Sequence, residues 1–134
     1  LAKDVVVPDY CGLAPDDKDV AVNVWIGPAG TISSLHHDPR RNLLCQVVGR
    51  KYVRMYKKEY SDRLYPYEES MMSNTSRVDV ESSSVDTIRA KFPKFPSTPY
   101  LECVLEEGEM LFIPPGEWHY VRSLSESASV NFWW

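Results

Sequence analysis

The sequence predicts an all-β fold, a sandwich or closed barrel of eight short strands with little helix. Three observations lead there. Short runs of apolar or alternating residues recur along the chain, and turn-forming residues close them. The clearest run, Lys51-Tyr52-Val53-Arg54-Met55-Tyr56, has the two-residue period of a strand, not the longer period of a helix. Ten prolines and six glycines are spread through the 134 residues, which suits strands and turns and disfavours a helical bundle.

Leu1 to Pro15, with Val5-Val6-Val7 before Pro8, reads as an edge segment and loop, and Asp16-Asp17-Lys18-Asp19 as a charged turn. Val20 to Trp25 reads as the first strand and Gly27-Pro28-Ala29-Gly30 as a turn. Thr31 to Leu35 is the second strand, and Pro39 interrupts the ladder beyond it. Asn42 to Val48 and Lys51 to Tyr56 are the third and fourth strands, joined tightly at Gly49-Arg50. On the fourth, Lys51 shares a face with Val53 and Met55, so it faces inward if they do. A buried ammonium is costly unless it meets an anion, which hints at a bound carboxylate.

From about residue 57 to 99 the periodicity breaks down. A long insert between the fourth and fifth strands is expected there, serving either as a packed excursion or as a substrate-binding lid. Within it, Val85 to Lys91 suits a short helix. Tyr100 to Val104, Met110 to Ile113, Trp118 to Arg122 and Ala128 to Trp134 complete the eight strands. A barrel of about eight strands can enclose one small ligand.

The composition is that of a single globular domain, 43% hydrophobic and 25% charged. A net charge of −4 argues against a broad nucleic-acid surface and leaves basic peptides as ligands. Cys11, Cys45 and Cys103 fit neither a zinc site nor a disulfide framework. Cys45 and Cys103 lie in apolar runs, so the cysteines read as small buried hydrophobes in a reducing compartment. No apolar run is long enough for a membrane-spanning helix, and no signal peptide is visible. Leu1 in place of Met suggests an N-terminal truncation, with an upstream part absent.

The chemistry centres on Ser33-Ser34-Leu35-His36-His37-Asp38-Pro39 and, far downstream, on His119. Residues two apart on a strand point the same way, so His36 and Asp38 face one side and His37 the other. A His-x-Asp pair with one distant His supplies a two-His, one-carboxylate triad, which leaves positions on Fe(II) open for a cosubstrate and O₂. The first stretch runs Gly30, five residues, His36, one residue, Asp38, three residues, Asn42, six residues, Gly49. The second runs Gly108, five residues, Pro114, one residue, Gly116, two residues, His119. Both resemble the spacing of the cupin double-stranded β-helix, a jelly-roll barrel. The family pattern has His where Asp38 stands and Glu where Asn42 stands, and these departures point from ordinary metallo-cupins towards 2-oxoglutarate oxygenases.

Further stretches carry a closer resemblance. Trp25-Ile26-Gly27-Pro28, Leu35-His36-His37-Asp38-Pro39, Gly49-Arg50-Lys51-Tyr52, Phe112-Ile113-Pro114, Trp118-His119-Tyr120-Val121-Arg122 and Phe132-Trp133-Trp134 resemble Jumonji-C (JmjC) 2-oxoglutarate oxygenases. The nearest branch is that of arginyl hydroxylases once classed as lysine-36 histone demethylases. Asn74-Thr75-Ser76, Val78-Asp79-Val80 and Lys91-Phe92-Pro93-Lys94-Phe95 of the insert share the likeness, which covers nearly the whole chain. Ser34 and His37 stand where the family has proline and glutamine.

The resemblance implies one JmjC/cupin-like catalytic domain over 1–134, using Fe(II), 2-oxoglutarate and O₂. It implies His36, Asp38 and His119 as catalytic metal ligands. Lys51 would pair with the distal carboxylate of 2-oxoglutarate, assisted by Ser33 and Asn42, with Trp133 lining the same pocket. The expected activity is hydroxylation of protein side chains, foremost arginine C-hydroxylation. N-methyl-lysine demethylation of the lysine-36 type and histone-tail cleavage are the enzymatic alternatives, and a non-catalytic chromatin-associated binding module is the third reading. A small-molecule cupin without 2-oxoglutarate fits poorly with Lys51 and the insert. The expected partner is a protein or peptide, a histone tail or another arginine-containing protein, in the nucleus or cytoplasm. Neither nucleic acid nor membrane is expected as a partner.

Overall fold

A computed structural model describes residues 2–13, 19–68, 71–81 and 84–134. Among the described residues, eight antiparallel strands form two four-stranded sheets. In chain order they are β1 (Ala21–Gly27), β2 (Ile32–His37), β3 (Asn42–Val48), β4 (Lys51–Tyr56), β5 (Leu101–Leu105), β6 (Met110–Ile113), β7 (Trp118–Ser123) and β8 (Ser127–Trp133). One sheet has the order β1-β8-β3-β6 and the other β2-β7-β4-β5. Consecutive strands mostly lie in opposite sheets, which makes this the expected jelly-roll and not a meander.

The inner face of β8 is polar and its outer face apolar. Along β8 the alternation puts Ser127, Ser129, Asn131 and Trp133 on one face and Val130 and Phe132 on the other. The polar face bonds to the strands beside it. The Ser129 hydroxyl donates to Gln46 Oε1 at 2.7 Å, and Ser123 and Ser127 share a hydrogen bond at 3.0 Å. These groups are buried but partnered, so the interior stays polar without unmet hydrogen bonds at these positions.

The apolar clusters sit on the outer faces. Leu35 of β2, Tyr56 of β4, and Trp118 and Tyr120 of β7 pack against Leu64, Val78, Val80 and Phe95 from residues 57–99. Each large apolar side chain buried there contributes roughly 1.5–3 kcal/mol. The Trp118 indole also donates to Ser61 Oγ at 2.9 Å. The region 57–99 contains the 3-10 helix Lys58–Arg63, the helix α1 (Val85–Lys91) and the 3-10 turn Phe95–Ser97. Ser84 caps α1 by accepting from Thr87 N–H. On the other sheet, Leu43, Phe132 and Trp134 pack against Cys11.

One expectation is corrected here, that all three cysteines are buried. The N-terminal stretch, read as an edge segment and loop, carries two short 3-10 turns, Ala2–Asp4 and Asp9–Gly12. Pro8 has no N–H to give a ladder, and its carbonyl instead accepts from Cys11 N–H at 2.9 Å, closing a turn that buries Cys11. Cys103 is exposed, because β5 is a sheet edge whose residues Leu101 to Val104 face solvent, and Cys45 is half-buried. All three cysteines are free. The charged turn expected at Asp16 to Asp19 lies largely outside the described residues.

Gly49, in the β3–β4 turn, has φ +70°, and a Cβ there would lie 2.0 Å from the Glu126 carbonyl oxygen. Only glycine fits both the left-handed backbone and the contact. This tight turn starts β4 directly at Lys51 and fixes that residue's position in the barrel.

Candidate metal centre

His36 and His119 are register partners on β2 and β7, with ring centroids 4.3 Å apart. Asp38 follows the end of β2, and its carbonyl accepts from Gly116 N–H at 2.8 Å. That bond ties the exit of β2 to the turn that leads into β7. The two sequence motifs are thus joined directly, one bringing His36 and Asp38 and the other His119.

The order of β2 is broken by a register shift between Ser33 and His36. Regular alternation would put Ser33 on the face of His37, away from His36. The extra residue reverses the sense, so Ser33 and His36 both line the cavity while Leu35 is fully buried in the outer cluster. His37 also points outward and meets Trp118 edge-on, ring centroids 4.6 Å apart.

The ligand atoms of His36, Asp38 and His119 lie within 4.8 Å of one another, a grouping that could hold a metal ion. Nε2 of His119 is 3.4 Å, and Nε2 of His36 3.9 Å, from Asp38 Oδ2. The opposite nitrogen of each ring is engaged by backbone. His36 Nδ1 is 2.6 Å from the Ser34 carbonyl oxygen, and His119 Nδ1 is 3.1 Å from that of Glu117. A carbonyl only accepts, so each Nδ1 carries the proton and each Nε2 keeps a lone pair. Asp38 Oδ2 is buried without a hydrogen-bond partner. Two lone pairs and an unmatched carboxylate oxygen converge on one point, which is what a divalent cation requires and what an apolar core would not tolerate.

The electrostatics agree. Burial pushes the His36 imidazole below its ordinary 6.5, and His119 pushes it further, so the ring is neutral near neutral pH, the form that can ligate a metal. Burial alone would raise the Asp38 carboxyl, but contact with His119 and the charges of His119 and His36 outweigh it and hold the group below its ordinary 3.8.

The same cavity reaches Ser33, Asn42, Lys51 and Trp133. Lys51 is buried and burial lowers its pKa, yet among the described residues no carboxylate pairs with it. Trp133 Nε1 is a buried donor without a partner. The Asn42 amide oxygen accepts from Asn131 Nδ2 at 3.1 Å. Donors in excess of acceptors line this end, so the cavity suits an anion. All seven candidate residues border one space. Sequence reasoning missed Asn131, which lines the cavity beside Trp25, and the polar alternation of β8 was the signal that could have shown it.

Residues 2–134 match the family model described as a cupin-like domain. The chain is 50% identical over 134 residues to "Lysine-specific demethylase JMJ30" of Arabidopsis thaliana, covering 100% of this chain and 30% of that protein. It is 49% identical to "Lysine-specific demethylase 8" of Xenopus tropicalis, again over 100% of this chain and 30% of that protein. It is 30% identical to "Bifunctional peptidase and (3S)-lysyl hydroxylase JMJD7" of Homo sapiens, over 92% of this chain and 43% of that protein. The chain therefore spans less than half the length of these relatives. Among the described residues no helix is long and apolar enough to cross a membrane.

Proposed function

The chain belongs to the cupin-like JmjC family, and on that premise we propose that it is an Fe(II)- and 2-oxoglutarate-dependent oxygenase of protein side chains, most specifically an arginine C-hydroxylase. The observation that carries the reading is the convergence of His36, Asp38 and His119 on the cavity that also holds Lys51, which no carboxylate among the described residues pairs.

His36, Asp38 and His119 would hold the iron as two imidazoles and one carboxylate. The carbonyls of Ser34 and Glu117 fix the two rings in the tautomer that offers Nε2. Lys51 pairs its ammonium with the distal carboxylate of 2-oxoglutarate, a compact point charge for a compact anion. Ser33, Asn42 and the Trp133 indole N–H supply further donors to the same molecule. Bound together, iron and 2-oxoglutarate supply the oxidation of a C–H bond by O₂. The protein's own contribution is the binding, orientation and polarity of the cavity.

The substrate is a protein or peptide. Trp25, half exposed at the cavity, offers an aromatic face for a cationic side chain, and the net charge of −4 favours a basic partner. The names of the Arabidopsis and Xenopus relatives favour a second reading, N-methyl-lysine demethylation. That of the human relative adds peptidase and lysyl hydroxylase. The proposed compartment is the nucleus or cytoplasm. Succinate formation by the wild type and by His36→Ala and Lys51→Ala tests the chemistry, and unchanged turnover in either variant overturns it. A peptide panel read by mass spectrometry separates the substrates: one oxygen gained on arginine, or methyl groups lost from lysine.

A further inference from the structure

We propose that Trp25 and Asn131 form a hydrogen-bond relay that sets the Asn42 side-chain amide donor-outward into the cavity, so that this wall accepts a carboxylate and rejects a donor. The inference deepens the reading above and rests on it for the identity of the anion. Trp25 and Asn131 are positioning residues in it, acting through Asn42.

A primary amide in a pocket has two faces of similar shape and opposite polarity. Turned one way it offers two N–H donors, and turned the other way a carbonyl acceptor. Ligand selectivity depends on which way it is held. The relay fixes this from its far end. An indole N–H can only donate, and Trp25 Nε1 lies 3.2 Å from Asn131 Oδ1. Asn131 must therefore present its oxygen to Trp25. Its nitrogen then faces Asn42, donating to Asn42 Oδ1 at 3.1 Å. With that oxygen occupied, the two donors of Asn42 are what remains for the cavity it lines. Asn131 and Asn42 are both buried, so a reversed amide would oppose two oxygens or two N–H groups without water to relieve them.

The fold supplies the three positions independently. Trp25 lies on β1, Asn131 on β8 and Asn42 on β3, and β8 pairs with both neighbours in one sheet. Asn131 sits opposite Asn23 on one side and Leu44 on the other, so it reaches Trp25 and Asn42 diagonally. Trp25 is half exposed, so the one fixed donor of the relay stands where the cavity meets solvent.

The test has two arms, both on the full chain. In the first, without metal or cosubstrate, side-chain amide resonances are followed by NMR in wild type and Trp25→Phe. The relay predicts that the Asn42 amide signals move although Trp25 does not bond to Asn42. Movement of the Asn131 signals alone overturns it. In the second, 2-oxoglutarate affinity is measured by calorimetry with Ni(II) in the metal site. Trp25→Phe and Asn131→Leu are expected to weaken binding about tenfold, the loss of one charge-assisted hydrogen bond, with Ni(II) affinity unchanged. In an Asn42→Ala background Trp25→Phe is expected to do nothing more, because its effect passes through the missing amide. An equal loss in both backgrounds would mean that the indole acts by packing, and overturns the relay. A wild-type chain that takes no 2-oxoglutarate would count against the oxygenase reading instead, and the NMR arm still decides the relay.

Discussion

Ser33 and His36 face the same cavity although they are three residues apart on one strand. A regular strand separates such a pair to opposite faces. The register shift between them joins the proposed metal site to the proposed cosubstrate site, and it stands because Leu35, fully buried in the outer cluster, anchors the strand there.

Metal uptake should stabilise the chain through the three ligands alone. At a hundredfold excess over its dissociation constant, Fe(II) or a stand-in such as Mn(II) adds about 2.7 kcal/mol, several degrees in Tm. His36→Ala, Asp38→Ala and His119→Ala should each lose that gain in differential scanning fluorimetry. A full metal-dependent shift in any of them would sink the triad.

Lys51→Met should separate stability from binding. Burial without a carboxylate partner makes the ammonium a cost to the ligand-free fold. The variant should therefore melt no lower than the wild type, while 2-oxoglutarate affinity falls on the order of a hundredfold. A clear drop in ligand-free Tm would show that Lys51 has a structural partner after all.

Asn74→Ala should reach the metal from outside the barrel. Asn74 clamps the residue between two proposed ligands: its carbonyl accepts from His37 N–H at 2.9 Å, and its Nδ2 donates to the His37 carbonyl at 3.1 Å. Losing the side-chain bond should cost about 1 kcal/mol of stability and about tenfold in metal affinity. Equal metal affinity in a folded variant would confine the clamp to stability.

Acid should destabilise the metal-free chain in two steps. His36 is held below 6.5 by burial and by His119, so the unfolded chain protonates first as pH falls. Its contribution is complete above 6.5 and is lost as pH drops through the lower folded value. His37, lowered by burial, has the same sign. Asp38, held below 3.8, adds a second loss at more acid pH. In melts across pH, His36→Gln should flatten part of the first decline. An identical profile would assign that decline to other groups.

Much of the fold was legible because period-two patterns are local. The eight strands, the Gly49 turn and the Val85–Lys91 helix each carry their signal within a few residues. The ligand types were legible because Asp38 and two of the three histidines stand in spaced motifs. The exposure of Cys103 was not, since an apolar run looks the same on a central strand and on an edge. The turn that buries Cys11 was hidden for the same reason, as only the face of β3 and β8 beneath it decides its burial.

By itself the sequence determined the strand periods, the turns and the chemical identity of the groups that meet. The tertiary structure decided which of them share a space: the shift that turns Ser33 towards His36, the polar face of β8 turned inward, and the Trp25–Asn131–Asn42 chain across three strands. The physical reason is that side-chain direction along a strand is a local property, set every two residues. Register between strands is instead a sum over distant contacts that no single segment contains.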